Sequence, residues 1–251
     1  MKNNIELLGM DFDGVIADSI SECAVAGYNG YQAFCGNNLS IKTPEEINTD
    51  QLNKFRIMRP YIRSGEDYLY LFQALKEGKI FESQKEFDEF QIENIDRKEI
   101  YYQLFYSKRQ MMMTSDYKNW IALNPLYNGM DEFLQFMQNK IHIISTKASK
   151  YIIEILNSNG IDFNPKQVHQ AGRGYSKTDI CAKLMKEYNL SKHNMIFVDD
   201  HCDTLRNVSS ISIRCMLANW GYNTDKQRSR CNENNLELVD LQQFYKEFDI
   251  A

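Results

Sequence analysis

Several things are scarce in this sequence. No segment approaches the ~20 consecutive apolar residues that a membrane-spanning helix needs. No long apolar run follows the lysine of the opening "MKNNIELLGMDF", so neither a membrane anchor nor a signal peptide is expected. Basic charge is not in excess either. The 251 residues carry a net charge of −5, which offers no cationic surface of the kind nucleic acids select. An anionic small molecule stays open as a partner, because a single site needs only a few local cations. The six cysteines (Cys23, Cys35, Cys181, Cys202, Cys215, Cys231) contain no CxxC pair. Scattered in this way, they read as free thiols of a cytoplasmic protein. Internal repeats and low-complexity tracts are absent. What is present is ordinary: 43% hydrophobic and 25% charged residues, enough to bury a sizeable core in one large domain or two small ones.

Strand signals are also missing over a long stretch. After an opening apolar run (Ile5, Leu7, Leu8, Met10), residues 18 to about 120 read as successive helices. Asp18 and Ser19 precede "SECAVAGYNGYQAFCG", which Gly36 stops. "TPEE" at 43–46 starts another helix, with Thr43 as cap and Pro44 in the first turn. Ser64 and Gly78 bracket "GEDYLYLFQALKE", and Ser83 opens "QKEFDEFQIEN". A long helix from about Asp96 to Thr114 carries Ile100, Leu104 and Met111 at helical spacing.

From "NPLYNG" onward the rhythm becomes alternation. Strands are predicted at 141–145 ("IHIIS"), 167–171 ("QVHQA"), 195–198 ("MIFV") and 213–217 ("IRCML"), with a late "LELV". Helices are predicted between them at about 129–139, 149–158 and 177–188. Strands alternating with helices of this length imply βαβ units and a Rossmann-like, doubly wound parallel sheet. The predicted organisation is therefore an α/β core of residues 1–17 and 124–251, interrupted by an α-helical domain of residues 18–123.

Chemistry in an open parallel sheet collects at the carboxyl ends of its strands. Those ends hold Asp11 and Asp13, then Ser145, Thr146 and Lys147, then Asp199, Asp200 and Asp203. Lys177 stands at the start of a predicted helix. A single DxDG after an apolar run is commonly just a turn. Four or more carboxylates gathered together are another matter: they repel unless a cation joins them, and a hard ion such as Mg²⁺ suits oxygen ligands. Hydroxyl and lysine groups are natural partners of phosphate oxygens.

The segments "DFDGVIADS", "IISTK", "SKTDI" and "FVDDHCD", in this order, resemble the four motifs of the haloacid dehalogenase superfamily. The helical block occupies the position of that family's first-type cap, and the spacing to "WGYN" (Trp220 to Asn223) is similar to that of phosphoglycolate phosphatase relatives. The resemblance implies a Mg²⁺-dependent phosphatase acting on a small phosphorylated metabolite through an aspartyl-phosphate. In it Asp11 is the nucleophile and Asp13 the general acid and base. Ser145 and Lys177 hold the transferring phosphoryl group, and Phe12, Gly14, Thr146 and Lys147 line the substrate's position. Asp at position 13 is what phosphatases and phosphomutases carry and dehalogenases lack. The implied Mg²⁺ ligands are Asp11, the backbone carbonyl of Asp13, and Asp199 or Asp200, with Asp203 in support. Asp199 is favoured because it ends the apolar run and stands four residues before Asp203. Ser145 is favoured over Thr146 by the family spacing.

The implied cap reads the part of the substrate that is not phosphate. Arg56, Arg59 and Arg63, beside Tyr61, could meet a second anionic group, with Arg59 and Arg63 the leading candidates. The alternative is that they pair with Glu66 and Asp67 on the helix surface. Lys108 and Arg109 are a weaker candidate pair. All four histidines lie outside residues 18–123, whereas the related sugar-phosphate mutases use a cap histidine. That lowers a phosphomutase reading below a phosphatase one. A non-catalytic phospho-ligand-binding relative would be expected to have lost at least one of the motif residues. The substrate's identity and the oligomeric state are not encoded in these motifs.

Overall fold

A computed structural model of the chain describes residues 5–172, 174–192, 194–233 and 236–249. The chain divides into two compact units, one being Ser19–Pro125 and the other Met1–Asp18 together with Leu126–Ala251.

The Ser19–Pro125 unit is helical. Among its residues lie α1 (Ile20–Phe34), α2 (Thr49–Met58), α3 (Asp67–Lys76), α4 (Gln84–Glu93), α5 (Lys98–Ser115) and α6 (Tyr117–Ala122), and no strand. Its core is aromatic: Phe55 stacks on Phe72 with centroids 5.2 Å apart, and Tyr68 on Phe105 at 5.4 Å. The "TPEE" start makes only a single 3-10 turn, Pro44–Glu46, because Ile47 is extended. The α-helix begins after Asn48, whose side chain accepts the N–H groups of Asp50 and Gln51. The long helix forms, but its buried stripe is displaced by one position. Tyr101, Phe105 and Arg109 are buried, while Ile100 and Met111 are exposed. The displacement has a cause: Arg109 turns inward to a buried carboxylate, Glu22 on α1.

The second unit contains a six-stranded sheet made of β1 (Leu7–Met10), β2 (Ile141–Ser145), β3 (Val168–Gln170), β4 (Met195–Asp199), β5 (Arg214–Ala218) and β6 (Glu237–Val239). The order is β3-β2-β1-β4-β5-β6 and every pair is parallel. Every residue of β1, β2 and β4 is buried, as expected of strands covered on both faces. The cover comes from α7 (Met130–Met137), α8 (Ser149–Ser158), α9 (Lys177–Glu187), α10 (Cys202–Ser209), α11 (Asp225–Glu233) and α12 (Leu241–Glu247). The predicted α/β class and doubly wound sheet are the ones observed. Strand limits move by a residue or two: β3 is shorter than "QVHQA", and β5 lies one residue later than "IRCML".

The expectation of six free thiols needs correction. Cys23, Cys35, Cys181 and Cys215 are free, but Cys202 and Cys231 form a disulfide. The packing of α10 on α11 brings their Cα atoms to 5.9 Å, within the span a disulfide bridges. Among the described residues no helix is long and apolar enough to cross a membrane.

Candidate active site

The strand order places β1 between β2 and β4, so the chain runs outward from it in both directions. That reversal opens a crevice at the carboxyl ends of the strands. Met10 pairs with Ile143 on one side and Val198 on the other, so Asp11 leaves β1 in step with the ends of β2 and β4. Its N–H bonds the carbonyl of Val198 at 2.9 Å. Beyond it the chain curls at once: the N–H groups of Ile16 and Ala17 both donate to the carbonyl of Phe12, at 2.9 Å each.

Lys177, the first residue of α9, joins two strands. Its Nζ lies 2.7 Å from Asp11 Oδ2 and 2.7 Å from Asp199 Oδ2. A capping box between Ser176 and Asp179 fixes this helix start and so the lysine's origin. Burial works to lower the ammonium's pKa, but the two carboxylates more than reverse that and hold it above its ordinary value. Asp11 is affected in the opposite sense. Burial, with Asp199 and Asp13 nearby, raises its carboxyl against the opposing pull of Lys177.

A second lysine serves Asp13. Lys147 has a fully buried side chain, and its Nζ lies 3.0 Å from Asp13 Oδ1 and 5.8 Å from the centroid of the Phe12 ring. Ser145 is the last residue of β2, 1% exposed, with its Oγ accepting the Lys147 N–H at 3.3 Å. Thr146 lies one residue past the strand end and is half-buried. The Phe12 ring is fully buried and therefore offers no side-chain surface to a ligand.

The two adjacent acids of β4's end differ in their commitments. Asp199 gives one oxygen to Lys177 and the other to the N–H of His201 at 2.8 Å. Asp200 accepts the N–H of Tyr222 on Oδ2 at 2.7 Å. Ligand atoms of Asp11, Asp199 and Asp200 lie within 4.8 Å of one another, the only such group of metal-ligating side chains among the described residues. The carboxylate of Asp203 does not join it. Asp203 sits on α10 with Arg206 at 3.6 Å and Arg230 at 4.0 Å.

Gly14 has φ +84°, and a Cβ there would lie 2.2 Å from Asp200 Oδ2. The motif glycine thus lets the first loop approach the last acid.

The arginine and lysine candidates of the cap lie in the helical unit, and three of them have partners there. Arg63 makes a bidentate pair with Asp88, at 2.7 and 3.0 Å. Arg59 is 7% exposed and faces the Tyr68 ring at 5.5 Å. Arg109 donates from Nε and Nη2 to the two carboxylate oxygens of Glu22, at 2.7 and 2.8 Å. The carboxylates of Glu66 and Asp67 are held within the unit, Asp67 by the N–H groups of Arg63 and Ser64.

No family model matches the sequence, and no curated protein matches it significantly. Solved structures match along nearly the whole length. The fold is haloacid dehalogenase-like. A structure described as a predicted phosphatase from Clostridium acetobutylicum is 12% identical, with a TM-score of 0.60 over 98% of this chain and 99% of that one. A haloacid dehalogenase-like hydrolase from Streptococcus pneumoniae is 11% identical, with a TM-score of 0.58 over 99% of both chains. One described as a predicted phosphoglycolate phosphatase from Haemophilus somnus is 16% identical, with a TM-score of 0.61 over 97% of both. In a haloacid dehalogenase-like fold of this kind the helical unit stands as an insertion directly after β1.

Two features of the site escaped the sequence reading. One is the Lys147–Asp13 pair, since Lys147 was grouped with residues around the substrate. The other is the loop "WGYN", noticed for its spacing alone, which reaches both Asp200 and the first motif loop.

Proposed function

We propose that the chain is a Mg²⁺-dependent phosphatase of small phosphomonoesters, working through an aspartyl-phosphate. The observation that carries the reading is the charge balance at the strand ends. Four carboxylates (Asp11, Asp13, Asp199, Asp200) stand against two ammonium groups (Lys147, Lys177). Two negative charges remain, the charge of one divalent cation. The donors are all oxygen, which suits a hard ion such as Mg²⁺. Burial first, and Asp199 and Asp13 after it, raise the Asp11 carboxyl, and a cation bound beside it would favour the ionised form.

Asp11, Asp200 and the backbone carbonyl of Asp13 would hold the cation. Asp199, with its oxygens on Lys177 and the His201 N–H, would serve the lysine instead, which reverses the preference drawn from sequence spacing. When bound, the ion supplies charge stabilisation to the phosphoryl group.

Asp11 would attack phosphorus with one carboxylate oxygen, breaking the bond to the leaving alkoxide. Asp13, ionised beside Lys147 in the substrate-free site, would take up a proton from solvent as the substrate binds, give it to that oxygen, then take one from the water that cleaves the acyl phosphate. Lys177 would offset the phosphate's charge as it approaches Asp11, and Ser145 would donate its hydroxyl to a phosphoryl oxygen. The similarity to structures described as phosphatases supports this reading.

The test is release of inorganic phosphate from a panel of phosphorylated metabolites, with Mg²⁺ or with EDTA. Release that needs Mg²⁺ and disappears in Asp11→Asn is the expected result. Mg²⁺-independent release, or full activity in Asp11→Asn, would overturn the mechanism.

A further inference from the structure

Between β5 and α11 lie four consecutive residues, Trp220–Asn223, each with a contact on the candidate site's framework. Trp220 Nε1 donates to the carbonyl of Val15 at 3.0 Å. Gly221 passes so close that a Cβ would lie 2.3 Å from the carbonyl oxygen of Gly14 and 2.4 Å from Asp200 Cβ. Tyr222 donates its N–H to Asp200 Oδ2 at 2.7 Å and its hydroxyl to Asp18 Oδ1 at 2.6 Å. Asn223 Nδ2 donates to the carbonyls of Ala218 and Asp200, at 2.9 and 3.3 Å. Arg228 holds Asn223 in turn, donating to its backbone and side-chain oxygens at 3.0 and 2.8 Å.

A loop whose only task was to connect β5 to α11 would not need contact with two remote segments at once. Here one residue, Tyr222, spans them. Its main chain fixes one oxygen of Asp200, and its side chain is fixed by Asp18, the last residue of the α/β unit before the chain enters the helical one. The half-buried hydroxyl thereby sets where the N–H points. A donor aimed at one carboxylate oxygen orients the other oxygen of the same group, as partners of metal-ligating carboxylates do.

We propose that Tyr222 is a positioning residue for Asp200, and that Asp18 acts on Asp200 through it. The inference rests on the reading of Asp200 as a Mg²⁺ ligand. It gives Asp18, Tyr222 and Asp200 one shared function: the orientation of a carboxylate for the cation.

The experiment is calorimetric titration of the full chain with Mg²⁺ alone, with no substrate and no turnover. Melting temperature in EDTA is recorded for each variant as a separate measure of folding. Tyr222→Phe keeps the N–H and loses the hydroxyl's bond to Asp18. It is expected to bind Mg²⁺ about tenfold more weakly, as is Asp18→Ala. The double variant is expected to be no weaker than either single one, because the two residues act along one route. The KM for a phosphoester at saturating Mg²⁺ should stay at the wild-type value. Wild-type Mg²⁺ affinity in both single variants, or losses that add in the double one, overturns the positioning role. Asp200→Asn separates the two readings. If it alone loses Mg²⁺ binding, Asp200 remains a ligand and only Tyr222's part falls. If it binds Mg²⁺ as wild type does, the ligand reading fails and the inference with it.

Discussion

The ammonium of Lys147 lies 3.0 Å from Asp13 Oδ1, on a side chain with no exposed surface, while the Asp13 side chain is 17% exposed. The pair is lopsided: the lysine depends on the carboxylate for its burial, and the carboxylate also reaches solvent. Lys147→Met removes the buried charge and keeps the apolar stem. Stability is therefore expected to change by no more than about 1 kcal/mol, since the remaining carboxylate can be hydrated. Turnover is expected to fall about 100-fold through misplacement of the proposed acid, with little change in KM. Unchanged kcat would remove Lys147 from any role at Asp13.

Asp11 presents the opposite trade. Burial, Asp199 and Asp13 raise its carboxyl pKa, so the ionised form is a cost to the metal-free fold at neutral pH. Asn at this position keeps an oxygen for Lys177 and carries no charge. Asp11→Asn is expected to melt in EDTA at or above the wild-type temperature while losing at least ~10³-fold in turnover. Thermal unfolding without Mg²⁺, beside a phosphate-release assay, checks both halves. A variant that melts well below wild type would show that the Asp11–Lys177 pair stabilises the fold more than burial opposes it.

In the helical unit, Glu22 on α1 and Arg109 on α5 form a bidentate pair with exposures of 0% and 3%. Removing one member leaves a buried charge without its ion-pair partner, which typically costs about 3–5 kcal/mol, whereas removing both need not. Arg109→Leu and Glu22→Leu are each expected to destabilise by that amount in urea unfolding. The double variant is expected to recover at least half of the loss. Additive losses in the double variant would mean that each side chain acts through packing rather than through the other.

What was legible in the sequence follows from what each feature depends on. Buried parallel strands are apolar throughout and stop where polar residues begin, so "IHIIS" and "MIFV" announced β2 and nearly all of β4. The helical block was visible because its caps and apolar spacings are local. Pairings across the fold were not visible. Glu22 and Arg109 stand 87 residues apart, and only the packing of α1 on α5 shows why an arginine takes a core position. Cys202 and Cys231 meet because α10 and α11 lie side by side. The run "DD" at 199–200 names two acids, and both carboxylates come within 4.8 Å of a ligand atom of Asp11. Which of them meets Lys177 depends on where α9 starts, 22 residues earlier in the chain. Spacing to Asp203 was a local signal for what is a three-dimensional question, and Asp203 itself faces Arg206 and Arg230.

His142 on β2 and His169 on β3 share a hydrogen bond, Nδ1 to Nε2, at 2.8 Å, with their rings stacked. One proton lies between the two nitrogens, and a second would set N–H against N–H. Burial, and then His169, lower the His142 pKa from 6.5 to about 4, and burial lowers His169 as well. The sign of the consequence is fixed. Between pH 6.5 and about 4 the unfolded chain binds a proton at position 142 that the native protein does not. Acid therefore drains stability across that window, by up to about 3 kcal/mol from His142, and below it this residue adds no further loss. The rest of the protein titrates in the same range, chiefly its carboxylates, so the useful quantity is a difference. Urea unfolding of wild type and His142→Leu at pH 7.5, 6.0, 5.0 and 4.5 should give curves of stability against pH that converge as pH falls. The variant has no imidazole to protonate and loses less. Parallel curves would mean that His142 takes up its proton in the native state as readily as in the unfolded one, and that the pair at the sheet edge opens without cost.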